Sequence, residues 1–180
     1  MIFARLRRRR NNRLLIEQIH GEIVAAARAP ALYRRFAVAD TLEGRFEMVV
    51  LYAALTVRRL LALGPAGAEI AQEVVDAVFR GFEDALREMA IGDAGVARRI
   101  KAMGADFGGR SRAYRMALDA GDQAALTAAL GRNVYGAAAS EACAMLAARV
   151  AATAAALDTI AYESFAAGQF HFPRPAGEAP

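Results

Sequence analysis

Cysteine, histidine and tryptophan are scarce in this chain, which contains one cysteine, two histidines and no tryptophan. The single thiol, Cys143, excludes a disulfide framework and fits a reducing compartment. His20 lies in a helical pattern and His171 near the C-terminus, and neither belongs to a recognisable zinc motif. A fold held together by disulfides is therefore excluded, and a zinc-dependent fold is not indicated.

Long apolar runs are also lacking, although 56% of the residues are hydrophobic. The nearest candidate, residues 142–157, is mostly alanine and is interrupted by Arg149, so it does not qualify as a membrane-spanning helix. The N-terminal residues are basic but include no apolar region of signal-peptide length, and we expect no export. The apolar composition predicts compact helices rather than membrane spans.

Alternating strand patterns and internal repeats are absent, whereas helical periodicity recurs along the chain. Apolar residues four positions apart between Ile70 and Leu86 predict a helix over about 67–90. Pro30 ends a first helix or opens a short helical turn, and Gly108-Gly109 is expected to kink or break the chain. Further helices are predicted over about 12–29, 41–63, 94–107, 111–119, 121–131 and 137–166.

The length of 180 residues suggests one domain that is large enough to bury a core. We predict an all-α protein, a compact bundle of about six to seven helices over residues 12–168. A basic flexible tail, residues 1–11, is expected before this domain. The proline-rich residues 169–180 are expected to form an extended C-terminal tail.

The net charge of +4 is unevenly distributed along the chain. Residues 98–115 carry a net charge of +5, and residues 1–13 carry +6, so the remaining residues carry −7. The six cations of the N-terminal segment are Arg5, Arg7, Arg8, Arg9, Arg10 and Arg13. Two basic patches on an acidic body predict an anionic partner, either phospholipid headgroups or nucleic acid. The alternatives are a solvated tail and a second patch that pairs internally, Arg110 above all.

The helix predicted over 41–63 is apolar around most of its circumference and should be central in the bundle. Asp40 or Thr41 is its expected N-cap, and Asp40 followed by Glu43 resembles a capping box. Gly64-Pro65 is the expected stop. Asp93 is similarly expected to cap the helix that follows it.

Glu43 and Glu47 lie one turn apart at the start of this central helix, so their carboxylates share a face and repel each other. Carboxylates beside a buried surface need cations or hydrogen-bond donors. One interpretation is that arginines from elsewhere satisfy them, with Arg110 and Arg87 the leading candidates. The other is that both carboxylates face water and favour the positive end of the helix.

No catalytic constellation stands out in the sequence. Ser111, Ser140 and Ser164 lack a nucleophile elbow, and Cys143 is expected to be a small core residue. The glycines of residues 107–111 could present N–H groups to an anion, but no phosphate-binding loop or dinucleotide fingerprint accompanies them. We predict a protein that is not an enzyme and needs no cofactor.

Three stretches of the chain carry a family resemblance. They read LYRRFAVADTLEGRFEMVVLYAALTVRRL at 32–60, VFRGFEDALREMAIGDAGVARRIKAMGADFGGRSRAY at 78–114 and AALGRNVY at 128–135. Together they resemble the ubiquinol–cytochrome c chaperone family over about 30–135. The chain departs from the family pattern at Tyr52, Ala97 and Gly108, where relatives usually have histidine, proline and an aromatic residue. These departures weaken any ligand role at those three positions.

The resemblance implies an all-α, non-enzymatic assembly factor of the cytochrome bc1 complex. It implies binding of newly synthesised cytochrome b, with the ribosome and a small partner protein as further possible partners. The composition resembles that of bacterial relatives, which implies a cytoplasmic protein, peripheral on the cytoplasmic face of the inner membrane. The arginine tail would bind the anionic inner-membrane surface, and a groove lined by methionine and aliphatic residues would cover apolar client segments.

The polar residues that match the family motifs are expected to contact the client or to hold the helices in register. Glu43, Glu47 and Arg110 are expected to be structural, and Asp93 and Lys101 to face the client. The full set comprises Asp40, Glu43, Arg45, Glu47, Arg87, Glu88, Asp93, Lys101 and Arg110. The alternative function is that of a small helical RNA- or ribosome-associated protein that uses both arginine-rich patches.

Overall fold

The computed structural model describes residues 2–89, 92–137 and 140–173, with side chains from residue 12 onward. These residues form α-helices and one π-helical turn, without strands, which confirms the all-α prediction. The order is α1 (Ile2–Ala27), α2 (Pro30–Arg34), α3 (Leu42–Ala62), α4 (Pro65–Glu88), α5 (Asp93–Asp119), α6 (Gln123–Leu130), the π-turn (Gly131–Tyr135), α7 (Glu141–Asp158) and α8 (Tyr162–Ala166).

Helix α3 is the centre of the bundle, as its nearly continuous apolar surface predicts. It contacts α1, α4, α5 and α7, and Met48, Leu51 and Leu60 are fully buried. The turn into α4 is tight, because a Cβ atom on Gly67 would lie 2.1 Å from the carbonyl oxygen of Leu60. Residues 50–56, in the middle of α3, are all buried, which explains why the apolar residues of this helix are not confined to one stripe.

Helix α1 begins at Ile2, so the predicted start near residue 12 is wrong. Arginine and leucine are good helix formers, and no glycine or proline occurs between residues 2 and 20 to stop the helix. The inner stripe of α1 consists of Leu15, Ile16, Ile19 and Ile23, all buried. The side chains of Arg5, Arg7, Arg8, Arg9 and Arg10 lie outside the described residues.

Helix α5 continues without interruption through Gly108-Gly109, so the predicted break there is wrong. Two glycines in a helix interior cost about 2 kcal/mol relative to alanine. The burial of Phe107 and Tyr114 on either side of them offsets that cost. Tertiary packing of α5 therefore outweighs its local helix propensity.

The last predicted helix, over 137–166, is divided into α7 and α8. Ser140 caps α7, where its hydroxyl accepts a hydrogen bond from the Cys143 N–H at 3.2 Å. Residues 169–173 have no regular structure, but they belong to the core, because Phe170 and Phe172 are buried. Arg149 also donates a hydrogen bond to the Pro173 carbonyl. The predicted domain boundary at residue 168 therefore leaves out part of the core.

Candidate functional site

A buried polar cluster lies between α3 and α5, and we call it the Glu47 cluster. Arg110 of α5 contacts the Glu47 carboxylate of α3 at 3.0 Å, and the two side chains are only 20% and 12% exposed. Asp106, one turn before Arg110, approaches the same guanidinium at 3.8 Å. Asn133, in the π-turn, donates a hydrogen bond to the Tyr114 hydroxyl at 3.2 Å. The cluster thus joins α3, α5 and the π-turn.

Burial governs the electrostatics of this cluster. Removal from water raises the pKa of Glu47 to about 7, although the charge of Arg110 acts in the opposite direction. Burial also raises the pKa of Tyr114 to about 12. The second carboxylate oxygen of Glu47 has no hydrogen-bond partner among the described residues. Arg110 therefore compensates the burial of this carboxylate only in part.

The two carboxylates at the start of α3 have different environments. Arg110 pairs with Glu47, as one interpretation predicted, whereas Glu43 is exposed in the first turn, as the other predicted. Arg87 has no contact with either carboxylate. It pairs instead with Glu83 at 2.7 Å and approaches Asp93 at 3.9 Å.

The start of α3 is capped by Thr41, whose hydroxyl accepts a hydrogen bond from the Gly44 N–H at 3.1 Å. The capping-box interpretation of Asp40 and Glu43 is wrong, because Thr41 and not Asp40 is the N-cap residue, and the Asp40 carboxylate instead accepts a hydrogen bond from Arg45 at 2.6 Å. That hydrogen bond lowers the pKa of the Asp40 carboxyl. Both partners are more than half exposed, so the pair adds little stability.

The remaining motif residues lie on the surface. Gly92, not Asp93, is the N-cap residue of α5, and Asp93 is the first residue of the helix and exposed. Glu88 and Lys101 are exposed as well. Of the N-terminal arginines only Arg13 has a described side chain, which pairs with Glu17 at 2.8 Å on the surface. The structure therefore brings Glu47 and Arg110 together and distributes the other motif residues over the surface.

The second basic patch, in α5, divides as expected between one buried arginine and several exposed cations. Arg110 is the internally paired member. No described carboxylate forms an ion pair with the exposed members, which are Arg98, Arg99, Lys101, Arg112 and Arg115.

A cation that the sequence interpretation missed joins three helices. The Arg58 side chain, 16% exposed, donates to Asp119 at the end of α5 and to Asp158 at the end of α7, both at 2.8 Å. Arg59 beside it donates to the Ile160 carbonyl. Two consecutive arginines near the end of an otherwise apolar helix were the available signal. Their partners lie 61 to 101 residues away along the chain, so no local pattern identifies them.

Aromatic side chains of α3, α4 and α5 pack together next to Glu47 in the chain, and further large apolar side chains are exposed elsewhere on the domain. Phe46 packs on Phe82 with the ring centroids 4.3 Å apart, and Phe79 contacts both Phe82 and Phe107 edge to face. Phe46, Phe79 and Phe82 are half-buried. The large apolar side chains that stay exposed are Leu14, Leu42, Leu61, Met89, Met116 and Met145.

Within the described part of the chain, no three histidine, cysteine or carboxylate side chains are grouped so that they could hold a metal ion. His20 packs against Gly81 of α4, and burial lowers its pKa.

None of the described helices is both long enough and apolar enough to cross a membrane.

Comparison with known proteins identifies the family. A family model described as ubiquinol-cytochrome C chaperone matches residues 34–172. The chain belongs to the ubiquinol–cytochrome c chaperone family. It is also similar to a protein whose solved structure is the crystal structure of the Cbp3 homolog from Brucella abortus. The two chains are 38% identical, with a TM-score of 0.86 and 97% of each chain covered. No match to a curated protein was found.

For this chaperone, the family match extends beyond the 30–135 region that carries the sequence resemblance, through α7 and α8 to the buried Phe172. Family membership supports a role in the assembly of ubiquinol–cytochrome c reductase and implies that the role is not enzymatic. Neither comparison supports the alternative function in RNA or ribosome binding.

Proposed function

We propose that this protein binds newly synthesised cytochrome b at the cytoplasmic face of the inner membrane and holds it during assembly of the cytochrome bc1 complex. The observation that carries the proposal is the family match over residues 34–172, together with a fold shared over 97% of the chain with the Cbp3 homolog. The proposed role is binding alone, without chemistry on the client.

The apolar surface of the domain suits such a client. Half of the exposed large apolar side chains are methionines, namely Met89, Met116 and Met145. Methionine is flexible and polarizable, so it adapts to apolar partners of different shape. We infer that these side chains contact hydrophobic segments of cytochrome b before the segments pack against their neighbours in the complex.

The charges of the protein suit a membrane location. The N-terminal segment carries six arginines, each of which contributes about 1 kcal/mol of attraction when it lies near an anionic membrane surface. We infer that this segment increases the time that the chaperone spends beside its client. A deletion of residues 1–13 leaves the buried stripe of α1 in place, because that stripe starts at Leu15.

Crosslinking followed by affinity purification from membranes of the native cell tests the proposal. We expect both the intact chain and the chain without residues 1–13 to recover cytochrome b, the shortened chain more weakly. Recovery of ribosomal RNA or ribosomal proteins without cytochrome b would instead support the alternative function. Failure of both forms to recover cytochrome b would contradict the proposal.

A photo-crosslinking amino acid at Met89, Met116 or Met145 maps the client surface. Ala120, the C-cap residue of α5, is the control position, since it is exposed like the methionines but has only a small side chain. We expect crosslinks to cytochrome b from at least one methionine position and none from Ala120. Equal crosslinking from all four positions would show that the methionines are not a specific contact.

A further inference from the structure

The outer face of α5 carries a regular row of exposed residues. These residues are Arg98, Lys101, Ala105, Gly108, Arg112 and Arg115, and every one of them is exposed. Their spacing alternates between three and four, so they lie along one side of the helix. We call this row the α5 stripe. It consists of two cations, then two small residues and then two cations, and it is about 26 Å long at about 1.5 Å per residue.

The carboxylates of α5 lie beside cations other than those of the stripe, including Asp119, which continues the row one turn after Arg115. Asp106 approaches Arg110 at 3.8 Å, and Asp119 accepts a hydrogen bond from Arg58 at 2.8 Å. Asp93 precedes the stripe and lies 3.9 Å from Arg87. None of the four cations of the stripe pairs with a described carboxylate, so all four charges remain available to an external anion.

The middle of the stripe is flat enough for a broad surface to approach. Ala105 and Gly108 project almost nothing from the helix, and Gly109 beside them is exposed too. The long cationic side chains at both ends can therefore reach a planar array of anions while the helix lies parallel to it. No large apolar side chain occupies the six positions, so the contact would be electrostatic, without deep insertion.

A nucleic acid fits this surface less well than a membrane does. Both aromatic residues of α5, Phe107 and Tyr114, are buried, so the stripe offers no platform on which bases could stack. The cations also lie on the convex outer side of a single helix, whereas single-stranded nucleic acids are usually held in a positively charged groove.

We propose that the α5 stripe is a docking surface for anionic phospholipid headgroups and orients the chaperone domain with α5 parallel to the bilayer. It is a second membrane contact, separate from the arginines of residues 1–13. This proposal goes beyond the function proposed above, and its test needs no cytochrome b and leaves residues 1–13 unchanged in every variant.

Sedimentation with vesicles measures the contact. The full-length protein is mixed with vesicles of phosphatidylcholine alone or with 30% phosphatidylglycerol, at one fixed salt concentration. We expect sedimentation only with the anionic vesicles. Each cation near the membrane surface increases the partition coefficient about fivefold. We therefore expect the coefficient to fall at least about tenfold in either of two double variants, Arg98→Gln with Lys101→Gln or Arg112→Gln with Arg115→Gln.

A charge-matched variant serves as the control. Arg34→Gln with Arg80→Gln removes two exposed cations from α2 and α4. We expect this variant to retain most of the wild-type binding to vesicles. Equal losses of vesicle binding in the control and stripe variants would show that only the net charge of the protein matters, and would overturn the proposal. A loss of binding to RNA at the same salt concentration, with vesicle binding unchanged, would also overturn it.

A spectroscopic readout tests the orientation independently of affinity. The only native cysteine, Cys143, is buried, so an added surface cysteine can be labelled selectively. We expect a fluorophore at Ala105→Cys to be quenched by nitroxide-labelled headgroups, and one at Ala85→Cys of α4 to be quenched much less. Equal quenching at both positions, or quenching only at Ala85→Cys, would contradict docking through the stripe.

Discussion

Replacing Glu47 by glutamine tests whether burial or the contact with Arg110 dominates the energetics of this carboxylate. The Glu47 side chain is only 12% exposed, and one of its oxygens has no described partner. Burial raises its pKa from an ordinary value of 4.5 to about 7, against the opposing effect of Arg110. Glutamine has nearly the same shape as a protonated glutamate and cannot ionise.

The sign of the effect follows from proton linkage. Between pH 4.5 and 7 the folded protein holds the Glu47 proton more firmly than the unfolded chain does. This carboxylate therefore makes the free energy of unfolding fall as the pH rises through that window. At about 1.4 kcal/mol per pKa unit, the shift corresponds to about 3 kcal/mol. The stability of Glu47→Gln relative to the wild type should rise by about that amount from pH 4.5 to pH 7.5.

Urea denaturation followed by far-ultraviolet circular dichroism measures both proteins at each pH. Other titrating groups cancel in the difference between them, and so does any constant cost of the substitution. Glu43→Gln is the matched control, because Glu43 lies one turn earlier in α3 and is exposed. A stability difference that stays flat with pH, or that falls, would show that Arg110 dominates and would refute the reasoning.

Three further tests, which use five substitutions, concern separate parts of the fold. Phe170→Ala should lower the free energy of unfolding by about 3–5 kcal/mol, because the ring is buried. A loss below about 1 kcal/mol would show that residues 169–173 are a tail and not part of the core. Arg58→Ala should lower the free energy of unfolding by about 1–3 kcal/mol, whereas Arg87→Ala, at an exposed ion pair, should lower it by less than about 1 kcal/mol. Equal losses would contradict the three-helix contact of Arg58. Thr41→Ala should lower the free energy of unfolding by about 1 kcal/mol and Asp40→Ala by clearly less, an order that reverses if Asp40 is the cap. Urea denaturation at pH 7.5 measures all three.

The parts of the fold with strong periodicity could be predicted from the sequence. The stripe from Ile70 to Leu86 predicted α4 to within about two residues at each end. The unusual apolarity of 41–63 predicted that α3 is central. The pairing of Glu47 with Arg110 agrees with one of the two interpretations of the carboxylates in α3, in which a carboxylate beside a buried surface requires a cation.

The errors arose where tertiary packing overrides local preference. Gly108-Gly109 has a poor helix propensity, but the packing of Phe107 and Tyr114 keeps α5 continuous. The prolines after residue 172 suggested a tail, although Phe170 and Phe172 in front of them are core residues. Arg58 could not be assigned to its partners, because they come from the ends of two distant helices.

The most direct test of the assembly role is the content of cytochrome bc1 complex in native cells that lack this chain. Native electrophoresis gives the amount of assembled complex, and reduced-minus-oxidised absorption spectra give the amount of cytochrome b. We predict loss of both, with other respiratory complexes retained, and recovery when the intact chain is restored. Unchanged amounts of complex and of cytochrome b in the deletion strain would contradict it.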